Sequence, residues 1–572
     1  MKKIDIIICL LICILTFLTL RDLYKPFFYT SHDGQNQIVR LYYFDEALRD
    51  GQFPPRIAGG LLNGYSYPLF VFSYHMPWII AEPFYLITRD IFASIKFSFI
   101  LGYFLSGLTM YWYLKRVFGR FPSAVGTFLY LFAPYRFVNI FVRAAIGDAT
   151  SFIFPPLIFL SLYELTKFDK LDRMFKTGAK WIVVGAIGIA GLILSHAMVF
   201  ALFGLFYFLY LLWNLVFTRN KKNTLIGFIV VLILGVALSG YYFIPSFFER
   251  DYTQFSSVMR SIFTGSTFIP FKQLVYSPWG YGMMRAEEGG MSFQVGIAQW
   301  GVAVFTVLIL IKWLISKKNK REYSAYSLGF YFMITFILSV LAMLPVSLFV
   351  WKLLGNIIII DFTWRILTVT VFSSSVLGAF AVSKIKFKYL VGVLIILVAL
   401  YANRNYLRIN KIQGWDVPFY LKLEKTTNMY DEYTPQWVQR EIEKVPILEK
   451  IGYSSKSVIT DIKVNSSNHF LADVTTSQNT EATLNTIYYP GWELFVNNIK
   501  SPIEYKNSRG LMSFSLPKGK NTVEFKFTET PLRLISDIIT ILAGMISLWA
   551  VISSFRIKHN EIKHDLPNKS SS

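Results

Sequence analysis

The chain has 572 residues, 54% of them hydrophobic and 16% charged, with a mean hydropathy of +0.45, so a soluble protein is excluded and a membrane protein expected. Lys and Arg total 57 against 35 Asp and Glu, a net charge of +22, yet the basic residues cluster at the ends of apolar runs rather than on one face, which argues against a nucleic-acid binder. Cys9 and Cys13 share the first apolar run, which leaves no disulfide framework and no cysteine-held metal.

That first run, residues 4–20, follows Met1-Lys2-Lys3 and lacks a small-residue cleavage site before Arg21-Asp22, so it reads as an uncleaved helix. Basic clusters at Lys115-Arg116 with Arg120, at 167–180, 219–222, 317–321, 384–388 and 556–563 are assigned to the cytoplasmic side. An even number of crossings must then separate neighbouring clusters, and from Lys115 onward one pair of apolar runs does so. Three runs precede Lys115, at 4–20, 68–87 and 92–114, so one of them cannot cross. The middle one is interrupted by Pro68, His75, Pro77, Glu82 and Pro83 and is expected to form interfacial or re-entrant helices. The predicted architecture is an α-helical polytopic membrane protein of about 12 transmembrane helices with both termini cytoplasmic. Residues 1–403 form the membrane domain, with 21–91 as its first outer loop. An extracytoplasmic domain spans 404–530, a final transmembrane helix 531–555, and a cytoplasmic tail 556–572.

Within 404–530 the long apolar runs disappear. Alternating segments at 457–464, 469–476, 483–489, 492–497, 510–516 and 522–527 are separated by turns at Pro490-Gly491, Asn497-Asn498 and Pro517-Lys518-Gly519, the pattern of a small antiparallel β-sandwich. Residues 420–451, just before it, are expected to form an amphipathic helix with Glu441 and Lys444 on its polar face.

This topology gathers charge on the outer face. Asp33, Arg40, Glu46 and Arg56 fall in the first outer loop, Arg143 and Asp148 in the second, and His196 at the outer end of the fifth crossing. Arg285, Glu287 and Glu288 fall in the outer loop 250–291, and Arg365 at the outer start of the tenth crossing. The charges inside apolar runs, Asp5, Lys96, Lys312 and Asp537, lie near run ends. An ion-coupled transporter holds its ionisable groups near the midplane, so the layout favours an enzyme whose lipid-linked substrate meets it at the outer surface.

The segments Ser31-His32-Asp33-Gly34, Gly51-Gln52-Phe53-Pro54-Pro55-Arg56 and Gly64-Tyr65-Ser66-Tyr67-Pro68-Leu69-Phe70, with Ala133-Pro134-Tyr135-Arg136, Arg143-Ala144-Ala145-Ile146-Gly147-Asp148 and Leu194-Ser195-His196, resemble the bacterial membrane proteins called pyruvoyl-tetrahydropterin-synthase-related. Tyr488-Tyr489-Pro490-Gly491-Trp492 resembles the YfhO-like group. No pterin chemistry is read from these residues. Both groups look like members of the GT-C glycosyltransferase superfamily, polytopic enzymes that take sugar from a polyprenyl-phosphate carrier and keep one acidic residue in the first outer loop and another early in the second. Asp33 and Asp148 stand at those positions. Two departures stand out: Gly34 follows the first-loop acid where many members carry a second acid, and Ala144-Ala145 follows Arg143 where Gly-Ala is expected. A lone carboxylate is a poor divalent site, so no metal ligands are assigned and a divalent cation stays open as a cofactor.

The resemblance implies transfer of sugar from a polyprenyl-phosphate donor to an envelope glycan or glycolipid on the outer face of a bacterial cytoplasmic membrane, with inversion at the anomeric carbon. Membrane lipid is a partner and nucleic acid is not. Asp33 and Asp148 are the catalytic candidates, Asp33 as general base. His32, Arg40, Glu46, Arg56, Tyr65, Arg143, His196 and Arg365 are the substrate-binding candidates, Arg143 with Arg40 or Arg365 facing the phosphate. Each has a structural alternative. Asp33-Gly34 suits a turn, Asp148 a helix cap, Arg143 an interfacial anchor and His196 a helix end, while an interfacial belt accounts for Tyr42, Tyr43, Tyr65, Tyr67 and Tyr74. A lipid-linked saccharide translocator and a non-catalytic scaffold are the alternative functions.

Overall fold

A computed structural model of the chain describes residues 3–262, 267–283, 290–316, 323–354, 361–428, 430–439 and 449–564. Arg285, Glu287, Glu288, Glu441, Lys444 and the basic cluster 317–321 lie outside the described residues.

Eight described helices are long and apolar enough to cross a membrane: Ile91–Phe118, Ile146–Leu165, Ala197–Phe217, Lys221–Leu238, Ile297–Ile315, Ala325–Met343, Thr363–Ser383 and Pro531–Ser554. The pair Arg120–Leu131 and Pro134–Val142, bent by 48°, is together long and apolar enough to count as a ninth if it forms one broken span. The bend falls where Pro134 has no N–H to offer the preceding turn. Three shorter helices, Lys3–Thr19, Ala179–Ser195 and Lys388–Asn403, stand where the first, fifth and eleventh crossings are expected. At 16–17 residues each they measure about 25 Å. Burial ranks the spans: Thr363–Ser383 is 94% buried and Ile146–Leu165 is 89% buried, whereas Pro531–Ser554 is only 17% buried. The two central helices carry Arg365 and Asp148, so these charges sit inside the bundle.

The segment 68–87 forms helix Leu69–Phe72 and then helix Met76–Thr88, too short to cross. They break at residues 73–75, where the His75 ring pairs through Nε2 with the Phe70 carbonyl at 2.8 Å. Helix Gly34–Arg49 lies within residues 21–91, the segment read from sequence as the first outer loop. Just before it, strand β1 (Phe28–Tyr29) pairs antiparallel with β2 (Ile412–Gln413), tying that loop to the chain that follows helix Lys388–Asn403.

Eight further strands build the sandwich: β3 (Ile451–Tyr453), β4 (Val458–Asn465), β5 (His469–Thr476), β6 (Thr480–Ile487), β7 (Trp492–Val496), β8 (Ile499–Ser501), β9 (Leu511–Leu516) and β10 (Gly519–Phe527). One sheet has the order β4-β5-β10-β7-β8 and the other β3-β6-β9. β7 and β8 are joined through Asn497 (φ 53°) and Asn498 (φ 65°), the left-handed pair that a two-residue hairpin turn requires. Inward residues such as Phe470, Val474, Leu494, Met512, Phe514, Val523 and Phe525 form one core with Ile57, Val71 and Phe72 of the first outer loop, so the sandwich is packed onto that loop.

One expectation is corrected. Helix 420–451 is not formed as read: the helix is Val417–Leu423, the described residues 424–439 run through turns and bends, and Ile451 begins β3. Arg56, one of the substrate-binding candidates, does not line the cavity that holds Asp33. It is 1% exposed, donates from Nε to Glu529 at 2.9 Å and from Nη2 to Asp537 at 3.0 Å, and pins the final helix to the first outer loop. A second buried pair, Arg533 Nη2 to Glu249 at 2.7 Å, pins the same helix from its other side.

Candidate functional site

The two sequence motifs are laid together by backbone. The Asp33 N–H donates to the Arg143 carbonyl at 2.8 Å and the His32 N–H to the Val142 carbonyl at 3.1 Å. Gly34 is required by this close packing: a Cβ there would lie 2.3 Å from Ser31 Oγ and 2.5 Å from the Phe28 ring. Asp33 precedes helix Gly34–Arg49, but its side chain accepts no capping hydrogen bond. Its carboxylate is 29% exposed and 3.9 Å from Arg143 Nη2.

Asp148 is held very differently. At 1% exposure it accepts from Arg143 Nη1 at 2.5 Å and from Arg365 Nη1 at 2.8 Å, and His196 Nε2 lies 3.4 Å away. It does not cap its helix, Ile146–Ser151, whose N-cap is Ala145. Arg365 also grips Asp361, from Nη2 at 2.7 Å and from Nε at 2.9 Å. Burial works against charge on Asp361, but the Arg365 guanidinium beside it outweighs that and holds its carboxyl below the usual carboxylate range. The Arg143 guanidinium lies over the Trp364 ring at 4.5 Å. A π-turn at Val138–Val142 delivers Arg143 into this cluster, its N–H bonded to the Val138 carbonyl at 2.9 Å. Ala144 follows at φ 51°, a left-handed conformation that glycine would adopt without strain.

Asp33 and this cluster open into one cavity of about 420 Å³. Of the residues singled out from sequence, Asp33, Arg40, Arg143, Asp148, His196 and Arg365 line it. Arg40, two helical turns beyond Asp33, donates to Thr427 Oγ1 at 2.9 Å and to the Thr427 carbonyl and Asn428 Oδ1, each at 2.7 Å, and lies over the Tyr74 ring at 5.6 Å. Its bonds go to neutral groups. Part of the lining is apolar, formed by Met198, Phe243, Phe247 and Phe255.

Four candidates lie elsewhere. The His32 ring faces the Tyr281 carbonyl at 3.4 Å, Arg56 holds the last helix, Tyr65 is 2% exposed in the core beneath the sandwich, and Glu46 lines a separate cavity. Asp361 and Glu432, which line the first cavity, were not singled out from sequence, and of the tyrosine group Tyr74 reaches it. Asp361 was legible as an acid four residues before Arg365. Glu432 was not, because only the folding of a long loop carries it there. Burial raises its carboxyl above the usual range.

Among the described residues no group of three or more His, Cys, Asp or Glu is arranged to hold a metal ion. Asp148 and Asp361, the two acids on Arg365, are already paired with that guanidinium, so this donor set does not fit a divalent cation. The cavity floor is tightly built: a Cβ on Gly147 would meet the Ser195 carbonyl at 2.6 Å and the Tyr74 ring at 2.9 Å. Gly147→Ala is expected to cost about 1–3 kcal/mol by overpacking. Detergent-solubilised variant should show a lower unfolding midpoint than wild type, and an unchanged midpoint would mean that the floor yields freely.

A protein of Lactococcus lactis subsp. cremoris, described only as uncharacterized, is 25% identical over 257 residues, 43% of this chain and 40% of that protein. The chain thus spans about two fifths of the length of this curated relative. Among solved structures, the archaeal oligosaccharyltransferase AglB from Archaeoglobus fulgidus, in complex with an inhibitory peptide and a dolichol-phosphate, is similar at a TM-score of 0.46 and 12% identity, covering 76% of this chain and 61% of that one. ArnT from Cupriavidus metallidurans, bound to undecaprenyl phosphate, is similar at a TM-score of 0.29 and 13% identity, covering 74% of this chain and 88% of that one. The model of the 6-pyruvoyl-tetrahydropterin synthase related domain, a membrane-protein family, matches residues 72–407, more than half of the 572 residues and the whole stretch from Arg143 to Arg365, and the chain belongs to that family.

Proposed function

We propose that the protein is a GT-C-type glycosyltransferase that moves a sugar from a polyprenyl-phosphate donor to an envelope glycan or glycolipid, working at the outer face of a bacterial cytoplasmic membrane. The observation that carries this reading is the contrast between two carboxylates in one cavity. Asp148 is paired with both Arg143 and Arg365, whereas the Asp33 side chain accepts no hydrogen bond among the described residues and lines the open space.

The chemistry follows from that contrast. An acceptor hydroxyl in the cavity gives its proton to the Asp33 carboxylate while its oxygen forms a bond to the anomeric carbon of the donor. The bond from that carbon to the phosphate oxygen breaks on the opposite side, so the configuration inverts. The electron pair leaves with the lipid phosphate, whose charge Arg40 can meet because its present partners are neutral. Asp148 acts as a positioning residue that fixes Arg143 and Arg365. The apolar wall of Met198, Phe243, Phe247 and Phe255 offers a surface for the first isoprenoid units.

The cavity is lined by residues from the chain segments read as outer, and none comes from the basic segments read as cytoplasmic. This supports an enzyme over a translocator, which needs a polar path through the bilayer. The test is purified protein in liposomes with polyprenyl-phosphate sugars, followed by native mass spectrometry and by release of the lipid phosphate. Donor binding and acceptor-dependent release are expected, and no binding of any lipid phosphate would remove the reading.

A further inference from the structure

A second cavity, of about 450 Å³, lies where the end of helix Gly34–Arg49 and the loop at 59–66 meet the β-sandwich, and it shares no lining residue with the transfer cavity. Its walls are held in place by polar ties between the two parts. Asp50 Oδ2 accepts from the Ser467 N–H at 2.7 Å and from Ser467 Oγ at 2.5 Å, and Lys450 Nζ donates to the Gly64 carbonyl at 3.2 Å. Gly59 is required by the same approach, since a Cβ there would come within 2.9 Å of the Ser467 side chain.

Two polar groups on this cavity are left unsatisfied. Trp492 is only 6% exposed, and its indole N–H has no acceptor among the described residues. Glu46 Oε2 is buried and has no donor among them. Nearly all buried side-chain polar atoms find partners, so two orphans of opposite kind on one cavity point to a ligand that offers both an acceptor and a donor. Hydroxyl groups do both. With the Asp50 carboxylate and the Glu46 carboxyl beside one lysine the cavity disfavours an anion, while a volume of this size suits a small polar molecule. Burial, with the charge of Asp50 second, pushes the Glu46 carboxyl up to about 7, so near neutrality it can donate as well as accept toward a hydroxyl.

We propose that this cavity binds a sugar unit of the acceptor glycan, at a distance from the point of transfer. The two sites are joined by one rigid element: Asp33 and Glu46 stand toward opposite ends of helix Gly34–Arg49, about 20 Å apart at 1.5 Å per residue. The acceptor is therefore an oligosaccharide or polysaccharide several units long, gripped at the sandwich while its end reacts beside Asp33. The length requirement rests on the transferase reading, whereas sugar binding by the second cavity does not.

The experiment is calorimetric titration of the full-length protein in nanodiscs with soluble pentasaccharides of glucose, N-acetylglucosamine, galactose and rhamnose. At least one is expected to bind. Glu46→Gln and Trp492→Phe, which keep size and shape, should each weaken it tenfold or more, while undecaprenyl phosphate binding measured on the same samples stays at the wild-type level. The proposal is overturned if no pentasaccharide binds wild type, or if binding survives both cavity variants unaltered. If pentasaccharides bind and the cavity variants lose them, yet no lipid-linked donor is ever consumed, the cavity stands as a glycan site and the transferase reading alone falls.

Discussion

Asp33→Asn is expected to reduce glycan transfer by about 10²–10⁴-fold, the usual contribution of a positioned general base, with protein abundance unchanged. Asparagine keeps the size of the side chain and loses the basic oxygen. Because the Asp33 carboxylate accepts no hydrogen bond among the described residues and is 29% exposed, the fold is expected to tolerate the change, and the backbone tie to Arg143 does not involve the side chain. The measurement compares membranes of a deletion strain carrying either form, following loss of the lipid-linked sugar and gain of envelope glycan. Accumulation of donor with arrested transfer is the expected result. Transfer at the wild-type rate would leave Asp33 as a residue that merely precedes a helix, and would move the search for the base to Glu432, which lines the same cavity.

Asp148→Asn is expected to act mainly on stability. It leaves Arg143, 2% exposed, without its one short-range carboxylate partner, since Asp33 is 3.9 Å away. Arg365 keeps Asp361 but loses its second acid. Removing one member of a buried ion cluster commonly costs about 3–5 kcal/mol, because the remaining charge stays desolvated. The variant should therefore unfold at a markedly lower temperature in detergent and accumulate poorly in membranes. A double-mutant cycle separates this from a catalytic role. Arg143→Gln in the Asp148→Asn background should cost less than it does alone, with a coupling of about 0.5–3 kcal/mol between the two positions. Additive effects would mean that the two groups do not act as a pair.

How much of this site was visible beforehand depends on the kind of residue. Asp33 and Asp148 stood out by position relative to apolar runs, and both line the cavity, but the difference between them did not show. One is free and the other clamped, and that depends on guanidinium groups arriving from other helices. Gly34 read as half of an Asp-Gly turn, whereas the packing of Ser31 and Phe28 against it is what excludes a side chain. Glu46 and Arg56 share the first outer loop with Asp33, yet Glu46 faces the sandwich and Arg56 the last helix, because helix Gly34–Arg49 and the loop after it spread their polar residues over three neighbours. The helix read at 420–451 failed for a related reason: residues such as Thr427, Asn428 and Glu432 are drawn toward Arg40 and the cavity rather than left to follow a local helical period.

Local physics was enough for the elements. The length of an apolar run sets whether a helix is long enough to cross, so the eight spans, the bent pair and the three shorter helices follow the expected order, and His469–Thr476 is a strand with the predicted ends. Asn497-Asn498 makes its turn because two adjacent residues tolerate positive φ there. What tertiary structure alone decided is which charges meet. Arg365 reaches Asp148 across 217 residues of sequence, and Arg40 meets Asn428 across 388. A charge buried in a helix bundle must find its partner in space, and hydrophobic pattern, which records only which face turns inward, carries no information about what waits on the other side.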